Sequence, residues 1–127
     1  SKGKVMSRTD HLAAYAEGWT TGNSDKIISA LADGYVLDDP NHGRVAKSEM
    51  AAYLDGMKAT VAELRGGKAE AQFLDLTEVL TGEEDGELTA WCWWTVPGTS
   101  IAGGGLIKVS DDGVVSERLT YYTALSS

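Results

Sequence analysis

Two side chains in the first third of the chain, Tyr15 and Asp39, could together move a proton beside a carbonyl group. A phenol donates a hydrogen bond to a developing negative charge, and a partly desolvated carboxylate acts as a base. The segment that joins them reads YAEGWTTGNSDKIISALADGYVLDDP: a tyrosine-bearing helix, a Gly-Asn break and a short second helix precede an extended run with two carboxylates. This pattern makes Tyr15 and Asp39 candidates for one catalytic site.

A third candidate is Glu117, in the run VVSERLTYY near the C-terminus. Side chains alternate along a strand, so Glu117 shares a face with Val115, Leu119 and Tyr121. A carboxylate on an inward face needs a partner or takes a raised pKa, which would make it a second acid or base. A one-residue bulge would instead turn the side chain outward.

Apolar residues at helical spacing predict three helices in the first half of the chain. The first covers about residues 10–21 behind an N-cap at Thr9, whose hydroxyl can accept a free backbone N–H. The second covers about residues 24–32. The third covers about residues 47–57, with apolar spacing that continues for two more turns. These helices would carry Tyr15 and lead the chain into the strand that ends at Asp39.

The second half of the chain changes to the period of β-strands. After a short strand at residues 35–38, strands are predicted at about 69–80, 88–96, 99–109 and 114–124, separated by acidic, Pro-Gly and SDDG turns. Three helices followed by long strands are typical of an α+β domain. We therefore expect one curved, antiparallel sheet around packed helices, with a pocket between the two layers.

The composition describes one acidic domain. The chain has 127 residues, and 19 acidic against 11 basic side chains give a net charge of −8, which argues against nucleic acid and anionic membranes as partners. Cys92 is the single cysteine, so a cytoplasmic location is expected. With only His11 and His42, no metal site is expected. Residues 1–8 are expected to be a disordered or foreign extension without a signal peptide, and residues 9–127 a single domain.

The order and spacing of these motifs resemble the NTF2-like superfamily, most closely its SnoaL-like polyketide cyclases and ketosteroid isomerases. The resemblance covers about Thr9 to Ala124 and is strongest from Tyr15 to the DDP run at Asp39. It implies a conical α+β barrel, with three helices on a curved, mostly antiparallel mixed sheet and an internal cavity. It also implies that Tyr15 is an oxyanion donor and Asp39 a general base, with no cofactor or metal.

The same resemblance implies which residues form the cavity wall. Glu117 would lie on it, and the expected lining is Trp19, Leu54, Cys92, Trp94, Gly105, Leu119 and Tyr121. Two positions depart from the isomerases. The second oxyanion donor would fall at Gly105, which has no side chain, and the tyrosine that supports the oxyanion tyrosine would fall at Leu54, next to Tyr53.

Two functions therefore remain open. One is a cofactor-free isomerase or cyclase that acts on a small apolar molecule, ring-shaped or polyketide-like. The other is a ligand-binding or association module of the same fold, because loss of one oxyanion donor typically costs about 100- to 1000-fold in rate. Epoxide hydrolysis by an Asp-Arg-Asp cluster ranks last, since it needs an arginine in the cavity and strand alternation turns Arg118 outward.

The run AWCWW predicts a second functional surface. Alternation places Trp91 and Trp93 on the strand face opposite to Cys92 and Trp94. Two exposed tryptophans would form a costly apolar patch. Because the resembled family dimerises through the outer face of its sheet, the expected partner is a second copy of the chain, with Trp91, Trp93 and Tyr122 in the interface. Packing under a loop or under the third helix is the alternative.

Overall fold

The structure is a computed structural model that describes residues 5–122. It contains three α-helices: α1 (Arg8–Thr21), α2 (Ser24–Ser29) and α3 (Met50–Leu64), the last preceded by a 3-10 turn at Lys47–Glu49. The six strands are β1 (Leu31–Asp39), β2 (Gly43–Ala46), β3 (Asp75–Glu84), β4 (Glu87–Thr95), β5 (Ala102–Ser110) and β6 (Gly113–Tyr121). The predicted continuation of the last strand to Ala124 lies outside the described residues, as do residues 1–4.

The six strands form one mixed sheet in the order β2-β1-β6-β5-β4-β3. Strands β1 and β6 run parallel, and every other neighbouring pair is antiparallel. The predicted α+β class and the mostly antiparallel mixed sheet are confirmed. The predicted barrel does not close, because β2 and β3 remain as separate edges of the sheet.

Helix α1 begins earlier than predicted. Its N-cap is Ser7, whose Oγ accepts the backbone N–H of Asp10 at 3.0 Å, while the Asp10 carboxylate accepts the N–H of Ser7 at 3.0 Å. This reciprocal pair satisfies two otherwise free backbone donors, which Thr9 could not do alone. Arg8, placed by the sequence outside the domain, pairs with Glu83 at 2.8 Å. Ser7 and Arg8 therefore make contacts with the folded part of the chain.

The strand that carries Asp39 is longer than predicted. The backbone N–H of Val114 donates to the carbonyl of Ala30 at 2.9 Å, so β1 already pairs with β6 at Leu31 instead of starting at residue 35. The segment after Asp39 turns tightly and returns as β2. The N–H of His42 closes that turn on the carbonyl of Asp39 at 3.0 Å.

The third strand begins later than predicted, at Asp75 instead of residue 69. The connection from α3 is held by Arg65, whose guanidinium donates to the carbonyls of Gln72 and Phe73 at 3.0 Å and of Pro97 at 2.9 Å. Two of these carbonyls, those of Gln72 and Phe73, belong to the segment before β3, so a side chain satisfies them and not the sheet ladder. Within residues 5–122, no helix has the length and apolar character needed to cross a membrane. The cytoplasmic location stays a prediction.

Candidate functional site

A cavity of about 520 Å³ lies between helices α1 and α3 and the inner face of the sheet. All three candidate catalytic residues, Tyr15, Asp39 and Glu117, are in its wall. Five residues that the resemblance assigned to the lining are also there: Trp19, Cys92, Trp94, Leu119 and Tyr121. The cavity therefore brings together side chains from α1, β1, β4 and β6.

Two predicted lining residues are not in the wall. Leu54 is buried in the core, and its neighbour Tyr53 faces the cavity instead, because each residue of a helix is turned by about 100° from the one before it. Gly105 is also absent from the wall. The carboxyl of Glu117 covers it from the neighbouring strand.

The first polar group of the cavity is the Asp39 cluster, formed by Asp39, Tyr53 and Tyr121. Asp39 is 3% exposed, and its Oδ2 accepts hydrogen bonds from the hydroxyls of Tyr53 at 2.7 Å and Tyr121 at 3.2 Å. Its Oδ1 accepts the backbone N–H of Asn41 at 2.9 Å. A carboxylate is a pure acceptor only when it is ionised, so three donors suit its charged form. Asp38, the preceding residue, alternates away from this face.

The tyrosines of the Asp39 cluster remain protonated donors. Burial raises the pKa of Tyr53 well above its usual range, and the hydrogen bond to Asp39 and the Asp39 charge add to the rise. Burial likewise raises the pKa of Tyr121, again with the Asp39 charge as a second cause. Both phenols therefore keep the proton that they donate to the carboxylate.

The second polar group is the Glu117 cluster, formed by Glu117, Tyr15 and Tyr35. Glu117 is 4% exposed, and its Oε1 accepts a hydrogen bond from the Tyr15 hydroxyl. That hydroxyl lies 2.6 Å from the hydroxyl of Tyr35. Burial raises the pKa of Glu117 to about 7, and the hydrogen bond from Tyr15 acts in the opposite direction. The carboxyl is therefore close to half protonated at neutral pH.

The groups around Glu117 are all uncharged near pH 7. Burial raises the pKa of Tyr15 and of Tyr35 well above the usual range, with the Glu117 charge as the second cause for each. Burial and the same charge raise the pKa of the Cys92 thiol to about 12. Glu117 therefore has no cationic partner here, which is why burial dominates its pKa.

Glu117 lies in the space that a side chain at position 105 would take. A Cβ built on Gly105 would collide with Oε2 of Glu117. Strand β6 does contain a one-residue bulge, but it lies at Val115, before Glu117. Because of this bulge, Val114 is buried instead of Val115, and Glu117 still faces inward. The resemblance implies a second oxyanion donor at position 105 on β5. The Glu117 carboxyl, which belongs to β6, occupies the space beside that position.

The sequence interpretation missed Tyr35, and it treated Tyr53 as a buried neighbour of Leu54 without a role at the site. Tyr35 supports the Tyr15 hydroxyl, the role that the resemblance places at Leu54. Alternation along β1 could have identified it, because Tyr35 shares the inward face with Leu37 and Asp39. For Tyr53, helical spacing predicts burial but gives no information about its hydroxyl partner.

The charges of the wall limit the ligand. Among the described lining residues, two are carboxyls and none is lysine or arginine. Arg118 is exposed on the other face of β6, so the arginine needed for the epoxide-hydrolase hypothesis is not in the cavity. Between residues 5 and 122, no group of three or more His, Cys, Asp or Glu side chains could hold a metal ion. This wall disfavours an anionic ligand.

The outer face of the sheet carries a row of three aromatic rings. The ring centroids of Trp91 and Trp93 are 5.1 Å apart, and those of Trp93 and Tyr122 are 5.5 Å apart. Both tryptophans are half-buried, whereas Tyr122 is 54% exposed. We call Trp91, Trp93 and Tyr122 the aromatic row.

No protein-family model and no curated protein matches the chain. Solved structures do match it along most of its length. An NTF2-like protein of unknown function from Cytophaga hutchinsonii is 14% identical, with 96% of this chain and 95% of that one covered and a TM-score of 0.63. A putative polyketide cyclase from Xanthomonas campestris pv. campestris is 17% identical, with 91% and 90% covered and a TM-score of 0.62.

A third similar structure is a hypothetical protein with a ketosteroid isomerase-like fold from Catenulispora acidiphila, solved in complex with trimethylamine. It is 13% identical, with 91% of this chain and 87% of that one covered and a TM-score of 0.58. At these identities the likeness shows the fold alone. The fold is that of NTF2-like proteins, the superfamily that the motifs indicate.

Proposed function

We propose that the protein binds a small, uncharged, mostly apolar carbonyl compound, ring-shaped or polyketide-like, and moves a proton on it without a cofactor. One observation carries the proposal: two equally buried carboxyls line one cavity, but they have different numbers of hydrogen-bond donors around them. Asp39 accepts three hydrogen bonds, whereas Glu117 accepts one and has its pKa raised to about 7 by burial. Surroundings that separate two carboxyls in this way assign one as the base and the other as the acid.

In the proposed reaction, Asp39 takes a proton from the carbon next to the carbonyl. The C–H bond breaks, an O–H bond forms on Asp39, and the electron pair moves to the carbonyl oxygen. Protonated Glu117 and Tyr15 donate hydrogen bonds to that oxygen as it becomes negative. If a C=C bond adjoins the enolate, Asp39 returns the proton to its far carbon as the C=O bond re-forms, and the double bond moves. Alternatively, the enolate carbon adds to a second carbonyl of the ligand, whose C=O π bond breaks and whose oxygen takes the proton from Asp39, which closes a ring.

The cavity supports this choice of ligand. Its volume of about 520 Å³ lies within the roughly 300–1000 Å³ that is usual for small-molecule sites. Trp19, Trp94 and Tyr121 supply ring surfaces against which a flat apolar molecule can pack. An anion would meet the Asp39 carboxylate, and the described lining has no lysine or arginine to offset that charge, so acids and phosphates are poor candidates.

Deuterium exchange tests the proposal without knowledge of the product. A panel of uncharged cyclic ketones is incubated with the protein in D2O, and loss of the α-hydrogen signal is followed by NMR. We expect exchange above the buffer rate for at least one ketone and a large decrease for Tyr15→Phe. If a ketone shown to bind by quenching of tryptophan fluorescence exchanges only at the buffer rate, proton transfer is rejected.

The second candidate function is ligand binding without chemistry. It is favoured by one observation: the Tyr15 hydroxyl already donates to Glu117, so it must change partner before it can serve a ligand oxygen. The same assay separates the two functions. Ketone binding with no exchange would support the binding module, and exchange that depends on Tyr15 would support the enzyme.

The aromatic row is our proposed interface for a homodimer. Three neighbouring rings on one sheet face form an apolar patch that a second copy would cover. Light scattering should show a dimer for the native chain and a monomer or aggregate for Trp91→Ala with Trp93→Ala. Leu64→Ala, at an exposed apolar side chain near the end of α3, is the control and should leave the dimer unchanged. An intact dimer in the double variant would place the interface elsewhere.

A further inference from the structure

Strand β5 contains three consecutive glycines, and a Cβ on any of them would overlap a neighbouring strand. A Cβ built on Gly103 would collide with the backbone carbonyl of Thr120 and come within 2.6 Å of the Trp94 ring on the inner face. A Cβ on Gly104 would come within 2.8 Å of the Trp91 ring on the outer face. A Cβ on Gly105 would collide with Oε2 of Glu117.

Gly105 differs from the other two in what restricts it. The next nearest side chain from another residue, the thiol of Cys92, would lie at 3.6 Å, which is ordinary van der Waals contact. Gly105 is also outside the left-handed region of backbone conformation, so its φ angle does not require glycine. The carboxyl of Glu117 is therefore the single group that an alanine at position 105 would displace.

We propose that Gly105 is a positioning residue, whose missing side chain keeps open the space in which the Glu117 carboxyl reaches Tyr15. Its role as an aid to proton transfer rests on the proposed function. Its role in placing Glu117 does not, and the experiment below measures that placement without a ligand.

The groups that face Glu117 decide what displacement does. They are Tyr15 on α1, Tyr35 on β1 and Cys92 on β4, with Tyr53 and Tyr121 further away, and all are uncharged near neutral pH. Burial is the main cause of the raised pKa of Glu117. A carboxyl displaced into the cavity lumen would lose both its burial and the Tyr15 hydrogen bond. Burial is the larger of these two opposing causes, so we expect a net fall in the pKa of Glu117.

The test is an NMR titration of Glu117 in protein with carbon-13-labelled glutamate, assigned with Glu117→Gln. In Gly105→Ala we expect the pKa to fall from about 7 by about one unit or more, toward the usual value. Gly104→Ala is the matched control: it introduces a similar overlap on the outer face, against Trp91, and should leave the pKa of Glu117 near 7. A raised pKa would show that the carboxyl has lost its Tyr15 hydrogen bond while staying buried, which also supports displacement. An unchanged pKa in Gly105→Ala overturns the proposal.

If Gly105→Ala does not fold, a double variant can still test whether the space beside position 105 is needed by Glu117. Glu117→Asp shortens the side chain by one methylene and withdraws its carboxyl from position 105. Gly105→Ala with Glu117→Asp should then fold as well as Glu117→Asp alone. Rescue by the shorter acid supports the proposal. Failure of the double variant to fold, when the single Glu117→Asp variant folds, overturns it, because the space would then be needed by a group other than Glu117.

Discussion

The Asp39 cluster and the Glu117 cluster each contain one buried carboxyl and two tyrosines, and they differ in the number of hydrogen bonds that the carboxyl accepts. Asp39 is 3% exposed and Glu117 is 4% exposed, so depth of burial does not distinguish them. Asp39 accepts three hydrogen bonds, two from tyrosines and one from the backbone, whereas Glu117 accepts one. Hydrogen bonds to the charged form offset the cost of burying a carboxylate. The number of donors, not burial, therefore distinguishes the proposed base from the proposed acid.

The largest effect is expected from Asp39→Asn, which removes the proposed base and keeps its shape. Loss of a general base typically lowers the rate by about 100- to 10,000-fold. We expect a decrease of this size in the α-hydrogen exchange of a bound ketone, followed by NMR in D2O. Asp38→Asn changes the adjacent carboxylate on the opposite face of β1 and should leave exchange unchanged. Equal effects of the two variants would show that Asp39 has no special role.

The next effect is on stability as a function of pH. The pKa of Glu117 is raised from 4.5 to about 7, so between these values the folded protein holds a proton that the unfolded chain releases. Stability due to this group is therefore present below about pH 4.5 and is lost as pH rises through 7. The total loss is on the order of 3 kcal/mol.

Glu117→Gln should remove this pH dependence, because the amide does not titrate. By urea unfolding we expect the variant to be more stable than the native protein at pH 8 and to lose that advantage at pH 4. The exposed Glu63 provides the control, and Glu63→Gln should keep the native profile. Parallel profiles for Glu117→Gln and the native protein would mean that Glu117 ionises as easily folded as unfolded.

A smaller effect comes from removing one hydroxyl in each cluster. Tyr53→Phe removes a donor to an ionised carboxylate, which costs about 1.5–3 kcal/mol, whereas Tyr35→Phe removes a bond between two neutral phenols, which costs about 0.5–1.5 kcal/mol. Urea unfolding near pH 6 should therefore rank Tyr53→Phe as the more destabilising change. The reverse order would contradict the assignment of Asp39 as the charged member.

The smallest effect is expected from Tyr121→Phe. Its hydroxyl donates to the same Oδ2 atom as Tyr53 but at 3.2 Å instead of 2.7 Å. Tyr53 remains as a donor after the change, so we expect a loss below about 1 kcal/mol in urea unfolding. A loss as large as that of Tyr53→Phe would show that the two tyrosines share the carboxylate equally.

Much of the site could be predicted because periodicity determines the face of a residue. Helical spacing predicts that Tyr15 is buried, and strand alternation places Asp39 inward and Asp38 outward. Glu117 faces inward for the same reason, because the bulge at Val115 lies before it and does not interrupt the alternation from Glu117 onward. One further inserted residue would have turned the carboxyl to the outside.

The partners of these side chains could not be predicted. The resemblance pointed to Leu54 as the place of a supporting tyrosine and Gly105 as the place of a second donor. Instead, Tyr35 on β1 contacts the Tyr15 hydroxyl, and the Glu117 carboxyl on β6 fills the space beside Gly105. Which hydroxyl reaches which carboxyl depends on how α1 and α3 lie over the sheet, and that packing joins residues far apart in the chain.

The amino-acid sequence by itself determined the α+β class, the inward faces of the elements and the types of side chain available for chemistry, because these follow from local periodicity and composition. Only the tertiary structure decided that the sheet stays open, that Asp39 receives three donors, and that the Glu117 carboxyl fills the space above Gly105. Hydrogen-bond partners and burial arise from contacts between strands and helices that are distant in sequence. They separate two similar carboxyls into a proposed base and a proposed acid.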